Sequence, residues 1–396
     1  MELHSKKHFF EDLQDKAQKE ISFGVYVHVP FCASTCDFCS FYQETPHRQD
    51  LLKYLQTIRT EFAPFSSDRP VETVFWGGGT PGLLPPSDIE FLGNAQLETL
   101  GVPLREWTVE MAPSTVKPDK LKVLKDLGVD RISLGVQSFQ EEMLEALGRR
   151  QSPRQVLEAY DLIRSAGFQN VNIDLIFAVP NQTMEIWLRD LEKTRELAPD
   201  HVSTYCLTLE EDTALYLKLA KARHKMDPGR EADFYERTWE VLHNMGLQQY
   251  EISNFSRPGM ACLHNLNTWR MHEWIGFGPS ASSQYMGRRF TNTANLDEWA
   301  QGLLEKKPVF TEDSELSSRG LALDTLIFGL RMNEGVDLFE IRERFPEFES
   351  FTVDPFLEGL VDEGLAESSG GRFSLTLKGR LLADRIGAEL LGCNDI

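Results

Sequence analysis

The chain has 396 residues, 41% hydrophobic and 26% charged, which is the make-up of an ordinary globular protein with room for about two or three domains. A formal net charge of -20 argues against tracking a nucleic-acid backbone, which takes clustered Lys and Arg, although a local basic pocket is still allowed. The first 20 residues are too polar for a secretory signal, and no apolar run approaches the ~20 residues of a membrane span. A cytoplasmic location is therefore expected, with reduced thiols and at most peripheral membrane association.

Strand-like runs are expected at 24–31, 71–78, 106–113, 130–138, 170–180 and 200–210, each short and rich in β-branched residues. Helical patterns such as "DLLKYLQTIRTEF" and "SPRQVLEAYDLIRSAG" fall between them, and Gly128 and Gly167 suit the positions just past a helix end. Strand and helix alternating about six times imply parallel strands with right-handed crossovers, so an α/β fold closing as a partial barrel. The chemistry-bearing residues then fall at the carboxyl ends of strands, the rim where such folds build sites. Beyond 211 the alternation stops. A helix is expected at 230–246, a short strand at 249–255 and a glycine-rich turn at 275–282. From 314 a new unit begins, with helices at 317–330, 337–345 and 351–363. A hairpin over 365–376 turns at Gly370-Gly371, and a last helix covers 378–391. Helices followed by a hairpin suggest an α+β, winged-helix-like unit, whose acidity speaks against DNA binding. The expected division is 1–21 as an extension, 22–225 as the barrel, 226–313 as a linking α/β region and 314–396 as the C-terminal domain.

The most informative stretch is "VHVPFCASTCDFCSFYQ", which sets Cys32, Cys36 and Cys39 in a C-x3-C-x2-C pattern after the first strand. In a cytoplasmic chain such a cluster points to metal before disulfides. Three thiolates can hold three irons of a cubane and leave the fourth open. A structural zinc would want a fourth protein ligand, for which His28 is the nearby candidate. Gly77-Gly78-Gly79-Thr80-Pro81 lets backbone approach a ligand closely. Asp174 sits inside an apolar strand, a costly place unless it is paired or used, and ribose hydroxyls would satisfy it. Cys206 and Cys393 read as small core or surface residues.

"YVHVPFCASTCDFCSF" resembles the radical S-adenosylmethionine (SAM) superfamily, in the branch holding oxygen-independent coproporphyrinogen III oxidase and the HemW-type haem chaperones. "WGGGTPGLL", "VDRISLGVQSF", "LGRR", "NIDLIFAVPNQT", "YEISNFSRPG", "CLHNLNTWR", "IGFGPSA" and "GLRMNEGVDL" extend the likeness from about residue 22 to the C-terminus. The resemblance implies a partial (β/α)6 barrel of TIM type and a [4Fe-4S] cluster on Cys32, Cys36 and Cys39. SAM would bind the open iron, and an electron from a reducing donor would cleave it to methionine and a 5′-deoxyadenosyl radical. It further implies SAM contacts from Gly78, Gly79, Thr80, Glu110, Gln137, Arg149 (preferred to its neighbour Arg150) and Asp174. Tyr26 and Phe38 match oxidase positions that contact SAM, and each would equally serve to shield the cluster.

The oxidase motif continues with another cysteine two residues after the third ligand, where this chain has Phe41, and the oxidase has a longer N-terminal extension. Both departures favour a haem chaperone that binds haem and passes it to an acceptor protein. The alternatives are a true coproporphyrinogen III oxidase and a related radical SAM methyltransferase or ring-modifying enzyme. The haem reading points to His264, because "HNLNTW" resembles the H-N-x-x-Y haem motif, with Thr268 in place of its tyrosine. Cys262 is the second candidate ligand, and a hydrogen-bonded loop histidine is the plainer reading of His264.

Overall fold

The computed structural model describes residues 23–65, 70–221, 228–350 and 353–392, so the N-terminal extension and Cys393 lie outside the described residues. Six strands run parallel in chain order: β1 (Phe23–Val29), β2 (Thr73–Gly78), β3 (Glu106–Met111), β4 (Arg131–Gln137), β5 (Asn170–Phe177) and β6 (His201–Cys206). The crossovers carry α1 (Arg48–Phe62), α2 (Pro86–Leu100), α3 (Pro118–Leu127), α4 (Glu141–Ala146) with α5 (Pro153–Ser165), and α6 (Met184–Leu197). Gly128 closes α3 with φ 97°, and Gly167 follows α5 with φ 84°; both are left-handed positions where a side chain would be strained.

After β6 come α7 (Ala214–Lys221), α8 (Pro228–Asn244), β7 (Gln248–Gln249), β8 (Asn254–Ser256) and α9 (Leu263–Trp269). These are followed by β9 (Glu273–Phe277), β10 (Ser282–Tyr285), β11 (Arg288–Asn292), α10 (Leu296–Leu304) and β12 (Phe310–Glu315). All twelve strands form one open sheet, in the order β12-β11-β10-β9-β1-β2-β3-β4-β5-β6-β8-β7. The region after 226 thus continues the barrel sheet: β9 pairs parallel to β1, and the expected boundary at 313/314 falls within β12. The single strand expected at 249–255 is instead a tight reversal. The Glu251 carboxylate accepts from the Ser253 N–H at 2.9 Å inside the turn, leaving β7 and β8 as two short antiparallel arms.

The last unit holds α11 (Ser318–Arg331), β13 (Val336–Asp337), α12 (Leu338–Arg344), α13 (Asp354–Asp362), β14 (Ala366–Ser369), β15 (Arg372–Leu375), α14 (Leu377–Leu381) and α15 (Ala383–Gly392). A separate three-stranded sheet, β13-β15-β14, gives it the winged-helix-like form, with the hairpin turning at Gly370-Gly371. The last helix is broken in two. Gly379 lies so close to the hairpin that an added Cβ would stand 1.9 Å from the Leu365 carbonyl, and this contact pins the short α14 there.

Period-two alternation sorts the parallel strands. Val25, Val27, Val74, Trp76, Val109, Leu134, Leu175 and Val202 pack in the main core, and the Trp76 indole reaches Gln96 on α2. Side chains of the opposite parity face one another across the sheet's concave side. Glu106, Arg131, Asn172 and His201 meet there in a buried polar interior. Continuous apolar strands of this kind are covered by helices on one side, so the polar positions within them need another explanation.

Candidate functional site

The carboxyl ends of the parallel strands open on a cavity of about 480 Å³ lined by Cys32, Cys36, Cys39, Phe38, Gly78, Gly79, Thr80, Glu110, Gln137, Arg149 and Asp174. Of the residues expected at the site, this cavity gathers all but Tyr26 and His264. A larger groove of about 1090 Å³ between α1 and α10 holds neither thiol nor histidine and is not this site.

The loop after β1 is tied down on three sides. Cys32 N–H donates to the Glu44 carbonyl at 3.0 Å, Asp37 N–H to the Leu147 carbonyl at 3.1 Å, and Leu215 N–H to the Asp37 carbonyl at 2.7 Å. The loop thus rests on the "LGRR" segment and on α7. Gly148, with φ 70°, is required there, because a Cβ would lie 2.8 Å from the Asp37 backbone nitrogen. The three thiols are half-buried, and burial raises the pKa of each. Thiolates in this setting want a cationic partner, which iron supplies. Among the described residues no three His, Cys, Asp or Glu side chains converge on a point that would hold a single ion. A cubane cluster asks its three thiolates to bind separate irons rather than one shared ion. His28, the conceivable fourth zinc ligand, is turned aside. Its Nδ1 lies 3.1 Å from the Tyr26 hydroxyl and its Nε2 3.3 Å from the Tyr42 carbonyl, and burial pushes its pKa down to about 4.

The glycine run threads between β1 and β3 with no space to spare. An added Cβ on Gly78 (φ 103°) would meet the His28 ring at 2.5 Å, and one on Gly79 would meet Pro30 and Phe31 backbone atoms at 2.8 Å. Thr80 Oγ1 lies 3.6 Å from Cys32 Sγ, coupling the run to the first cysteine. Gly79→Ala is therefore expected to push the start of the cysteine loop outward and cost about 1–3 kcal/mol. Lowered iron content together with a lower melting temperature would register this; native values for both would refute it.

Glu110 on β3 and Asp174 on β5 are half-buried and point inward on either side of β4. Burial first, then the Asp174 charge, raises Glu110 to about 8, although the Gly78 N–H donates to it. Asp174 is also raised by burial, and it accepts from Asn172 Nδ2 at 2.8 Å and Ser133 Oγ at 3.2 Å. Two half-buried carboxylates lining an open cavity suit a cationic ligand that carries hydroxyl and amino donors. Arg149 supplies the opposite charge. Its guanidinium stands 5.9 Å over the Phe38 ring, and its buried Nε has no hydrogen-bond partner. That orphaned donor suits a ligand carboxylate. Arg150 is exposed. Gln137 holds a left-handed φ of 69°, costly for a glutamine, where the β4–β5 register shifts. Thiols, glycine backbone, carboxylates and a lone arginine together fit an iron–sulfur cluster with SAM.

Tyr26 faces inward but is not part of the cavity lining; its hydroxyl meets His28. Phe38 lines the cavity, and so does Phe41, whose side chain is 69% exposed at the rim. Tyr205, Ser133 and Ile176 also line it and were not picked out from the sequence. The signal was available in the parity of β6, where His201, Ser203 and Tyr205 alternate on the inward face.

His264 lies elsewhere. It sits in α9 at the opposite, amino-terminal end of the strands. There its Nδ1 is 3.0 Å from Thr73 Oγ1, at the start of β2, and its ring packs near Phe75. Its exposure is 5%, and burial pushes its pKa down to about 3. Cys262 is fully buried and donates to Glu106 at 3.4 Å, while Glu106 also accepts the Leu263 and His264 backbone N–H groups. In this conformation the motif lies in the barrel floor, with His264 and Cys262 buried against Thr73 and Glu106 rather than lining the cysteine cavity. Thr268, in the tyrosine position, spends its hydroxyl on the Asn265 carbonyl at 2.9 Å. Cys206 is half-buried at the end of β6 and borders the cavity, its pKa raised to about 12 by burial.

An open parallel barrel with a three-cysteine loop at its carboxyl rim and a glycine–carboxylate cradle beside it defines a radical SAM protein. Comparisons agree. Residues 26–198 match the Radical SAM superfamily, and residues 316–382 match the HemN C-terminal domain. The chain is 32% identical to the haem chaperone HemW of Lactococcus lactis subsp. lactis over 93% of its own length and 97% of the relative's. It is 30% identical to that of Bacillus subtilis over 93% and 99%, and 37% identical to that of Escherichia coli over 65% and 69%. The solved coproporphyrinogen III oxidase (HemN) of Escherichia coli superposes with a TM-score of 0.82 at 26% identity, covering 93% of this chain and 90% of that one. The chain belongs to the HemW family of radical SAM proteins, and membership brings a [4Fe-4S] cluster and SAM as cofactors.

Proposed function

We propose that this chain is a cytoplasmic haem chaperone, binding haem and delivering it to an acceptor protein, with a SAM-bearing cluster served by a reducing electron donor. The supporting observation is full-length similarity to HemW chaperones, joined to Phe41 at the cavity rim where the oxidase motif has a cysteine. No helix among the described residues is long and apolar enough to cross a membrane.

When bound, SAM on the reduced cluster supplies one-electron chemistry. The protein's own part is to bind and orient. Cys32, Cys36 and Cys39 would hold three irons. Gly78, Gly79 and Thr80 would receive the methionine end. Arg149 would pair with its carboxylate, Glu110 and Gln137 would take its donors, and Asp174 would take the ribose hydroxyls. Phe38, in the cavity lining, and Tyr26, outside it, would shield the cluster from water.

Haem ligation through His264, neutral and walled in, needs α9 to withdraw from the floor. Anaerobically reconstituted protein is expected to bind haem near one per chain, and His264→Ala to change the haem absorption spectrum while the cluster persists. With reductant and SAM, the wild type is expected to leave coproporphyrinogen III unconverted, read by mass spectrometry. The second reading, a coproporphyrinogen III oxidase, is favoured by the close superposition on HemN. Efficient formation of protoporphyrinogen IX would promote it over the first. A haem spectrum unchanged in His264→Ala would move the ligand elsewhere.

A further inference from the structure

The motif "YEISN" takes no part in the cavity, yet a line of hydrogen bonds joins the two. Asn172 Nδ2 donates to Asp174 Oδ1 at 2.8 Å and to Ser133 Oγ at 2.7 Å, so the Asn172 carbonyl oxygen is left to accept. The nearer group at that oxygen is His201 Nδ1, at 2.7 Å, with the Ser203 hydroxyl also donating to it at 3.2 Å. His201 is fully buried, and burial with the nearby Arg131 charge holds it neutral, so it carries one N–H. With that proton on Nδ1, Nε2 must accept, and the Tyr250 hydroxyl donates to it at 2.9 Å.

Every bond in this line points the same way, from Tyr250 through His201 and Asn172 to the Asp174 carboxylate. Donors arranged head to tail in a buried setting polarise one another and strengthen the final bond to the anion. Ser133 closes a triangle by accepting from Asn172 and donating to the second Asp174 oxygen. Both oxygens are thereby occupied from behind, and the outward lone pairs face the cavity. The other charged or titratable groups around Asp174 are Glu110 on β3, Arg131 on β4 and Tyr205 on β6.

We propose that Tyr250 and His201 are positioning residues for the SAM site, holding the Asp174 carboxylate aimed at the nucleoside through this one-directional line of donors. The inference rests on the reading of Asp174 as the nucleoside contact. It gives the "YEISN" tyrosine a task at the cofactor end of the barrel.

The test is calorimetric titration of SAM into anaerobically reconstituted full-length protein, with iron content and visible absorption measured alongside. Tyr250→Phe, which removes only the hydroxyl, is expected to weaken SAM binding about 3–10-fold with the cluster unchanged, as is His201→Leu. His201→Gln is expected to stay within about two-fold of wild type, because its amide can donate to Asn172 and accept from Tyr250. In an Asp174→Ala background, Tyr250→Phe is expected to add less than about two-fold, since the line then ends on nothing. A purely structural role would instead lower affinity equally in both backgrounds and would not be rescued by glutamine; either result overturns the proposal. So does wild-type affinity in Tyr250→Phe when Asp174→Ala is weakened, an outcome that leaves the nucleoside reading standing. Unchanged affinity in Asp174→Ala itself would overturn both.

Discussion

A Cys36→Ala chain, reconstituted anaerobically with iron and sulfide, is expected to lose its cluster, whereas the wild type takes up about four irons per chain. The three thiols come from one eight-residue stretch and line one cavity. Removing the middle one leaves two thiolates for a cubane that needs three. His28 is engaged by Tyr26 and the Tyr42 carbonyl, and Cys206, although it borders the same cavity, comes from the end of β6 and lies outside the cysteine loop. The loop itself survives the change. Its anchors are backbone bonds to Glu44, Leu147 and Leu215, none of which uses the Cys36 side chain. The variant therefore folds with a wild-type circular dichroism spectrum but without the charge-transfer absorption near the visible region. Full iron content in this variant would remove Cys36 from the ligand set. Loss of folding along with iron would show that the cluster also holds the barrel together.

Asp174→Ala is expected to weaken SAM by roughly 10–150-fold, the worth of a lost charge-assisted contact of about 1.5–3 kcal/mol, with the cluster retained. The carboxylate sits on β5 beside Glu110 and away from the cysteine loop, so iron content is not at stake. The change also relieves a cost. Burial raises Asp174, and the Glu110 carboxyl is pushed to about 8 partly by the Asp174 charge, so the alanine lets Glu110 ionise at lower pH. Thermal stability of the cofactor-free protein is therefore expected to hold or rise while affinity falls, the pattern of a residue kept for binding. Unchanged affinity by calorimetry would remove Asp174 from the site, and a falling melting temperature with unchanged affinity would make it a structural group.

Sequence was enough for the barrel because its signals are local. Short β-branched runs spaced by amphipathic helices, with Gly128 and Gly167 past the helix ends, need no tertiary information to be read. The cysteine loop was legible for the same reason, since Cys32, Cys36 and Cys39 are near in chain as well as in space. Asp174 stood out as a charge in an apolar strand. What the linear pattern could not supply was anything set by pairings between residues far apart. The continuation of the sheet through β9 to β12 depends on β1 accepting a partner some 250 residues later, a choice made by edge pairing and core closure. The position of His264 is the sharper case. Its motif suggests a ligand, but whether an imidazole is open to a ligand is a matter of burial, and only packing of α9 against Thr73 and Glu106 puts it in the floor. The line from Tyr250 to Asp174 belongs to the same class. Its members span residues 172 to 250, and the direction of each proton follows from the neighbours that the fold supplies. Composition and spacing determine which chemistry the chain carries; tertiary packing determines which of those groups meet, and which are shut away from solvent.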